Sequence, residues 1–177
     1  MFWPLKPNLL QTQIVNHQRK RGHAVEHASF THAAIWVGLD HLLCDATPKL
    51  DVHVNSLEDY LKKKNTCLLM RRVPGISETM RERIAKDAVK HRRGKYSFKT
   101  IMREKWPHFM SRMRDPEIDE ETQRGLVCST LCARAVAIGT ETVSLLPSDL
   151  GLVTPATLSA STKLEDVNIW WRRVEGL

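Results

Sequence analysis

The fold of this 177-residue chain is decided by the stretch THAAIWVG, residues 31–38. Its apolar and partly β-branched run from 33 to 37 ends at a glycine, which predicts a buried strand followed by a turn. Residues 42–46 then predict the returning strand of a hairpin. Because His32 opens the first strand and Asp45 lies near the end of the second, we expect the carboxylate to accept a hydrogen bond from the imidazole.

Segments on both sides of this hairpin carry the signals of helix starts and strand ends. Asn8 is a favourable N-cap for a basic helix over 8–21, and Ser56 caps a short helix over 57–61. Residues 67–73 predict a further strand that is closed by a Pro-Gly turn. The clearest helix begins after Ser77, and we expect it to end at Gly94.

The second half of the chain contains one apolar helix over 131–138, and Cys128 lies where the preceding loop leads into it. We expect this helix to end at Gly139, and the later Pro147, Gly151 and Pro155 to mark loops before a strand-like segment at 167–171. The whole pattern predicts an α+β fold in which an antiparallel sheet packs against helices.

Length and composition indicate a single domain over residues 1–177. An apolar fraction of 42% with 6% aromatics is typical of a globular protein. Residues 1–29 are interpreted as an N-terminal arm or helix, and 103–124 as a charged insertion on the surface. We find no signal peptide and no apolar run near the roughly 20 residues of a transmembrane helix, which predicts a chain that is cytoplasmic when made.

The net charge of +7 comes from clusters of basic residues, at 19–21, 62–64, 71–72 and 91–95. Two interpretations of these clusters are equally good. They can be solvated helix faces and loops, or they can attract a polyanion such as an anionic cell envelope. Because the clusters lack interleaved aromatic residues, stacking on a single-stranded nucleic acid finds little support, and no nucleic-acid partner is expected.

Cys128 is the candidate nucleophile because it stands where a loop becomes a helix. The partial positive charge of a helix N-terminus lowers the pKa of a thiol there, and free backbone N–H groups, including that of Ser129, can hold an oxyanion. A buried packing role is the alternative for Cys128. Packing is also the interpretation of Cys44, Cys67 and Cys132, and the spacing of the Cys and His residues predicts no structural metal.

A cysteine hydrolase also needs a base and a group that orients the base. His32 is the best placed of the eight histidines, since a strand would hold it rigidly, and Asp45 is the candidate orienting group. Taken singly, His32 can equally be an ordinary polar residue at a strand start and Asp45 a turn residue.

An ordered set of motifs resembles the circularly permuted papain-fold amidases of the NlpC-like superfamily, which include the YiiX-like and YaeF-like proteins. In that family a histidine opens a strand reading roughly H-a-a-i-y-v-G, as His32 does here. The next strand closes with an acidic residue before alanine, matched by Asp45-Ala46. A segment of the form V-x-x-x-x-L-x-x-Y-L follows, matched over 52–61.

The later motifs occur in the same order as in that family. They are an arginine-bearing strand at 69–72, a glycine shortly before Tyr96, a Cys-Ser-x-Leu motif at 128–131, and an ending similar to P-x-x-L-x-x-S from Pro155. The resemblance therefore runs from about residue 30 to 172, and the histidine precedes the cysteine as a circular permutation requires.

The resemblance implies acyl transfer through a thioester without a cofactor. Cys128 would be the nucleophile, His32 its base and Asp45 the orienting residue, with Ser129 and Tyr96 on the substrate side. Since aspartate is one methylene shorter than the family's frequent glutamate, the contact between Asp45 and His32 is expected to be long or bridged by water. The implied substrate is an amide bond in peptidoglycan stem peptides or in another small peptide.

An enzyme of this kind without a signal peptide would need a specialised delivery route, for example as a secreted antibacterial effector. Its expected partners are then an immunity or delivery protein and the anionic envelope. Two alternatives remain open. One is a lipid-directed thioesterase or acyltransferase of the same fold, as in the lecithin:retinol acyltransferase-like proteins. The other is a basic binding module without catalysis.

Overall fold

A computed structural model describes residues 1–4, 8–38, 41–62, 66–92, 94, 127–143, 145 and 153–167. These residues form an α+β fold whose strands pair antiparallel, as the sequence predicts. The strands are β1 (Phe2–Pro4), β2 (Ala34–Trp36), β3 (Leu42–Thr47), β4 (Asp51–Ser56), β5 (Thr66–Leu68), β6 (Arg71–Arg72) and β7 (Glu165–Asp166). The helices are α1 (Leu9–Lys20), α2 (Val25–Ala28), α3 (Leu57–Leu61), α4 (Glu78–Lys90), α5 (Cys128–Thr140) and α6 (Pro155–Ala160).

The predicted hairpin is present as strands β2 and β3, and β4 extends it to a three-stranded sheet in the order β2-β3-β4. In the register Asp45 lies opposite Ala34 on one side and opposite His53 on the other. Residues 43–46 of β3 are all buried, so the charged Asp45 is enclosed together with its apolar neighbours Leu43, Cys44 and Ala46. Strand β4 was not predicted, although Val52 and Val54 alternate with His53 and Asn55 in the period-two pattern of a half-buried strand.

Two short two-stranded ribbons flank this sheet. Strand β1 pairs with β5, and Phe2 also bridges to His32, two residues before β2: its N–H donates to the His32 carbonyl at 2.9 Å. Strand β6 pairs with β7. The single strand expected over 67–73 is therefore two strands with different partners. Residues 168–171 of the expected last strand lie outside the described part of the chain.

The predicted helix caps are confirmed. Asn8 and Gln11 form a reciprocal capping box at the start of α1, and Ser77 Oγ accepts from the N–H of Met80 at 3.2 Å. Helix α4 ends at Lys90, before Gly94. The carbonyl of Gly94 instead accepts from the N–H of Val52 and so extends the pairing of β4.

Helices α4 and α5 pack together and cover the sheet. Contrary to expectation, Gly139 does not end α5, which continues to Thr140 and terminates at Glu141 in a left-handed conformation (φ 59°). Gly139 is buried against α4. A Cβ at this position would lie 2.4 Å from Ile84 Cγ1 and 2.6 Å from the backbone nitrogen of Ile84, so the residue permits the close approach of the two helices.

The N-terminal helix is joined to the rest of the fold by the fully buried Gln18. Its Nε2 donates to the carbonyls of Ala28 and Phe30, each at 2.8 Å, and its Oε1 accepts from the N–H of Ala156 at 2.9 Å. Because all three bonds cross between elements, Gln18 fixes α1 to the segment that leads into His32 and to the start of α6.

Helix α6 was expected to be loop, but Pro155 occupies its first turn and Thr154 caps it. Arg71 closes the other end of this helix. Its guanidinium donates to the carbonyls of Leu158, Ser159 and Ser161, and to that of Leu164 beyond the helix. None of the helices in the described ranges has the length and apolar character needed to cross a membrane.

Candidate active site

His32 is held at the start of β2 by backbone pairing on the side of β1. The carbonyl of His32 accepts from Phe2, and the N–H of Thr31 donates to the Phe2 carbonyl at 3.0 Å. The Phe2 ring lies 5.7 Å from the imidazole and stacks on Tyr60 at 4.3 Å. The His32 side chain is 18% exposed. The backbone and two aromatic rings therefore fix the imidazole while leaving one edge accessible.

Asp45 bonds directly to this imidazole. Its Oδ2 lies 2.8 Å from His32 Nε2 and also accepts from the hydroxyl of Tyr60. The expectation of a long or water-bridged contact was wrong, because antiparallel pairing sets Asp45 opposite Ala34 and brings the shorter side chain within reach. Since a carboxylate only accepts hydrogen bonds, Nε2 carries the hydrogen and the lone pair of neutral His32 is on Nδ1.

The second oxygen of Asp45 faces strand β4. Oδ1 lies 3.1 Å from His53 Nε2 without a hydrogen bond between them, and that nitrogen accepts from the side-chain amide of Asn55 at 2.6 Å. The other ring nitrogen of His53 donates to the carbonyl of Asp51 at 2.9 Å. The carboxylate of Asp45 is completely buried, so Tyr60 and His32 rather than solvent stabilise its charge.

Cys128 is the first residue of α5, and its sulfur interacts with the His32 imidazole and with the Ala33 backbone N–H. The residue is only 7% exposed. Because Asp45 occupies Nε2, we infer that His32 presents Nδ1 to the thiol. The start of the helix adds N–H groups without an intrahelical partner, including those of Cys128 and Ser129.

The pKa shifts of the two groups oppose each other. Burial alone would lower the pKa of His32, but the charge of the Cys128 sulfur and the hydrogen bonds to Asp45 and Cys128 raise it to about 9. Burial likewise would raise the pKa of Cys128, whereas the charge and hydrogen bond of His32 and the Ala33 N–H lower it. Both directions favour a thiolate–imidazolium pair.

The sequence also predicted roles for Ser129, Tyr96 and the other cysteines. Ser129 is buried and its hydroxyl donates to the Val153 carbonyl at 2.8 Å, which leaves its backbone N–H as the group for a substrate. Tyr96 and the charged segment 103–124 lie outside the described residues. Burial raises the pKa of Cys132 and raises that of Cys44 to about 11, as packing residues would show.

Sequence reasoning did not assign Tyr60 and His53 to the site. Tyr60 was noted only as part of a motif, although the three-residue spacing from Leu57 indicated a helix face that turns toward the sheet. A place for His53 beside Asp45 can be inferred only when strand β4 is known, because the pairing of the two residues follows from the register. Among the residues that the structure describes, no cluster of His, Cys, Asp or Glu could hold a metal ion.

Comparison of the chain with protein-family models, with curated proteins and with solved structures gave no match.

Proposed function

We propose that this chain is a cysteine hydrolase of the circularly permuted papain fold that cleaves an amide bond through a thioester. The observation that supports it is the buried array in which Cys128 faces His32 and His32 bonds Asp45 at 2.8 Å. A buried thiol with a lowered pKa beside a fixed imidazole is the arrangement that nucleophilic catalysis by cysteine requires.

The proposed reaction has two steps. The Cys128 thiolate attacks the carbonyl carbon, and N–H groups at the start of α5 stabilise the oxyanion. As the bond to the leaving nitrogen breaks, protonated His32 gives that nitrogen its proton. Water then attacks the thioester and passes a proton to His32, the carbon–sulfur bond breaks, and the acid leaves as the thiolate is restored.

The proposed substrate is a peptidoglycan stem peptide, and delivery as an antibacterial effector is part of this proposal. The resemblance to NlpC-like amidases supports the bond type, and the net charge of +7 suits an anionic envelope. A lipid-directed thioesterase or acyltransferase is the second candidate. It is favoured by a largely apolar cavity of about 730 Å³ that shares Phe2 and Ala33 with the site.

Incubation with purified peptidoglycan and, separately, with phospholipid vesicles tests both candidates by mass spectrometry of the products. We expect wild-type protein to release products and Cys128→Ala to release none while keeping its thermal unfolding midpoint. Retained turnover in Cys128→Ala would exclude the nucleophile, and the absence of products from both substrates would favour a non-catalytic binding module.

A further inference from the structure

Strand β1 lies between β5 and the segment that leads into β2. Phe2 pairs with Leu68 of β5 on one side and bridges to His32 on the other. Met1 lies in the same line: its amino group donates to the Leu69 carbonyl at 2.6 Å, and its carbonyl accepts from the Leu69 N–H at 2.9 Å. At β1 the gap between β2 and β5 is therefore one strand wide.

Beyond Met1 this gap opens into the cavity of about 730 Å³. Residues 33–38 along β2 line one wall of the cavity, and residues 68–73 of β5 and β6 line the opposite wall. We call the space between these two walls the slot. Because β1 pairs with both walls at one end, the slot occupies the position of the next residues of a strand in line with β1.

The backbone groups of β2 that face the slot belong to Ala34 and Trp36. In an antiparallel pair, successive residues direct their N–H and C=O groups alternately to the two sides of a strand. The N–H of Val37 donates to the Leu42 carbonyl of β3 at 2.9 Å, and Ile35 therefore points to β3 as well. Ala34 and Trp36 point away from β3, and no backbone group of the described residues bonds to them on that side.

The same alternation leaves Arg71 facing the slot from the opposite wall. The N–H of Val167 donates to the Met70 carbonyl at 3.0 Å, so Met70 points to β7 and the backbone of Arg71 points away from it. A strand that continued the line of β1 would therefore face Ala34 with its first residue, Arg71 with its second and Trp36 with its third. The two walls thus offer backbone partners in the order that a single strand requires.

The slot is enclosed mainly by apolar side chains, among them Ile84 and Ala85 of α4 and Val136 of α5. The Met1 amino group lies at one end and is bonded to a carbonyl, and burial lowers its pKa to about 6, so it is mostly uncharged at neutral pH. The guanidinium of Arg71 is bonded to carbonyls at the end of α6. The other charged side chains of the lining are exposed, namely Arg72, Glu78, Arg81 and Glu82.

We propose that the slot is a docking site for an extended peptide segment of a partner protein, which pairs with Ala34, Trp36 and Arg71 as an added strand in line with β1. Unpaired backbone groups on both walls favour this occupant over a compact small molecule, because an extended chain offers donors and acceptors to both sides in alternation. The apolar lining favours a peptide whose side chains are apolar at every second position. Docking of this kind is separate from the chemistry proposed for Cys128.

Amide hydrogen exchange measured by NMR tests the pairing residue by residue, with the capped heptapeptide KVTVTVK as the probe. The N–H groups of Ala34, Trp36 and Arg71 should exchange at least about tenfold more slowly with the peptide than without it. Ile35 is the internal control: it already bonds to β3 and should change less than about twofold. Slow exchange of the first three groups in the free protein would show that the chain itself fills the slot, and would overturn the proposal.

Fluorescence anisotropy with the labelled peptide measures its affinity for the protein. A peptide of the same sequence that is N-methylated at its three valines keeps the side chains but loses main-chain donors, so it should bind at least about tenfold more weakly. Equal affinity of the two peptides would contradict main-chain pairing. No saturable binding of the unmodified peptide up to about 1 mM would reject the docking site.

A matched pair of variants places the peptide in the slot. Ala85 lines the slot on α4, whereas Ala137 is a half-buried alanine on α5 that does not. Ala85→Phe should weaken binding at least about tenfold and Ala137→Phe less than about twofold. Ala85→Leu supplies the same comparison with a smaller side chain. Equal affinities of the Ala85 and Ala137 variants would place the peptide elsewhere and overturn the proposal.

Mass spectrometry of the incubated peptide separates docking from catalysis. The peptide should remain intact with the wild-type protein and with Cys128→Ala. Cleavage by the wild-type protein alone would identify the slot as part of a substrate cleft and would overturn the assignment of a docking site.

Discussion

Asp45 contacts three other side chains of the site. One oxygen of its buried carboxylate accepts hydrogen bonds from Tyr60 and His32, and the other oxygen faces His53. A buried charge is costly unless such partners compensate it, so this residue is maintained by its whole surroundings rather than by one bond. Its bond to Nε2 selects the tautomer in which Nδ1 of His32 is free to take the thiol proton.

Replacement of Asp45 should therefore reduce turnover more than substrate binding. Asp45→Asn keeps a hydrogen bond but loses the charge that stabilises the imidazolium, so kcat should fall about 100-fold or more with little change in KM. Asp45→Ala should be at least as damaging. Steady-state kinetics test this against Asp59→Asn, an exposed control on α3. Wild-type rates in both Asp45 variants would mean that another group orients His32.

The opposed pKa shifts predict how the thiol reacts as pH changes. The lowered pKa of Cys128 increases the fraction of its thiolate at neutral pH, whereas the raised pKa values of Cys44 and Cys132 keep those thiols protonated there. Iodoacetamide should modify Cys128 before Cys44 and Cys132, as peptide mapping by mass spectrometry would show. His32→Ala should move the midpoint of this reaction to higher pH. A midpoint for Cys128 at or above that of an ordinary cysteine would contradict the ion pair.

Turnover should decline again at high pH. The pKa of His32 is raised to about 9, so the proton needed by the leaving group is present below that pH and is lost as pH rises through it. A pH profile of kcat/KM should therefore have its upper limb near pH 9. Activity that keeps rising to pH 10 would show that His32 is not the proton donor.

At the residue scale, the sequence predicted those site residues whose chemistry agrees with the local secondary-structure pattern. His32 and Asp45 follow from the hairpin, and Cys128 follows from a loop-to-helix junction. The contribution of His53 could not be predicted, because it depends on the register of β4 against β3, which local sequence does not set. The length of the contact between Asp45 and His32 was misjudged for a related reason: backbone pairing, not side-chain length, sets that distance.

At the scale of elements, the contact of α4 with α5 positions the nucleophile. Helix α5 packs on β2 and β3 with its first residue beside His32, and α4 packs along α5 while it also contacts the same two strands. Caps at Ser77 and Asn8 made the starts of helices predictable. The end of α5 was not predictable, since a glycine favours both a helix end and a close helix contact, and only the packing partner distinguishes them.

Gly139→Ala tests this contact. The added Cβ would meet backbone atoms of Ile84 at distances below 3.0 Å, so the helices must separate, and we expect a loss of about 1–3 kcal/mol in the free energy of unfolding. Gly38→Ala is the matched control, because a Cβ there meets nothing within 4 Å. Urea denaturation measures both variants, and equal stability of the two would show that Gly139 is not needed for close packing.

At the scale of the whole molecule, a few side chains join segments that are distant in sequence. Gln18 connects α1 to α6, and Arg71 connects β6 to the end of α6 and, through Asp166, to β7. The α+β class could be predicted because local periodicity reveals it. These connections could not, because a buried glutamine or a multiply bonded arginine has the same local pattern as an exposed one.

Arg71→Lys should separate geometry from charge. Lysine keeps the charge but cannot bond the four carbonyls together with Asp166, so the free energy of unfolding should fall by about 2 kcal/mol or more. Arg72, the neighbour of Arg71 on β6, forms an exposed ion pair with Glu165. Arg72→Lys should change the free energy of unfolding by less than about 0.5 kcal/mol. Similar losses in urea denaturation of the two variants would show that the carbonyl bonds of Arg71 contribute little.

The order of the site residues along the chain has a consequence for biosynthesis. Asp45, His32 and Tyr60 belong to neighbouring segments and can meet through local contacts soon after they leave the ribosome. Helix α5 is made much later and must dock on a hairpin that already exists. Until it docks, Cys128 lacks the imidazole that lowers its pKa. We therefore expect the growing chain to carry an ordinary thiol, whose nucleophilicity appears only when folding is complete.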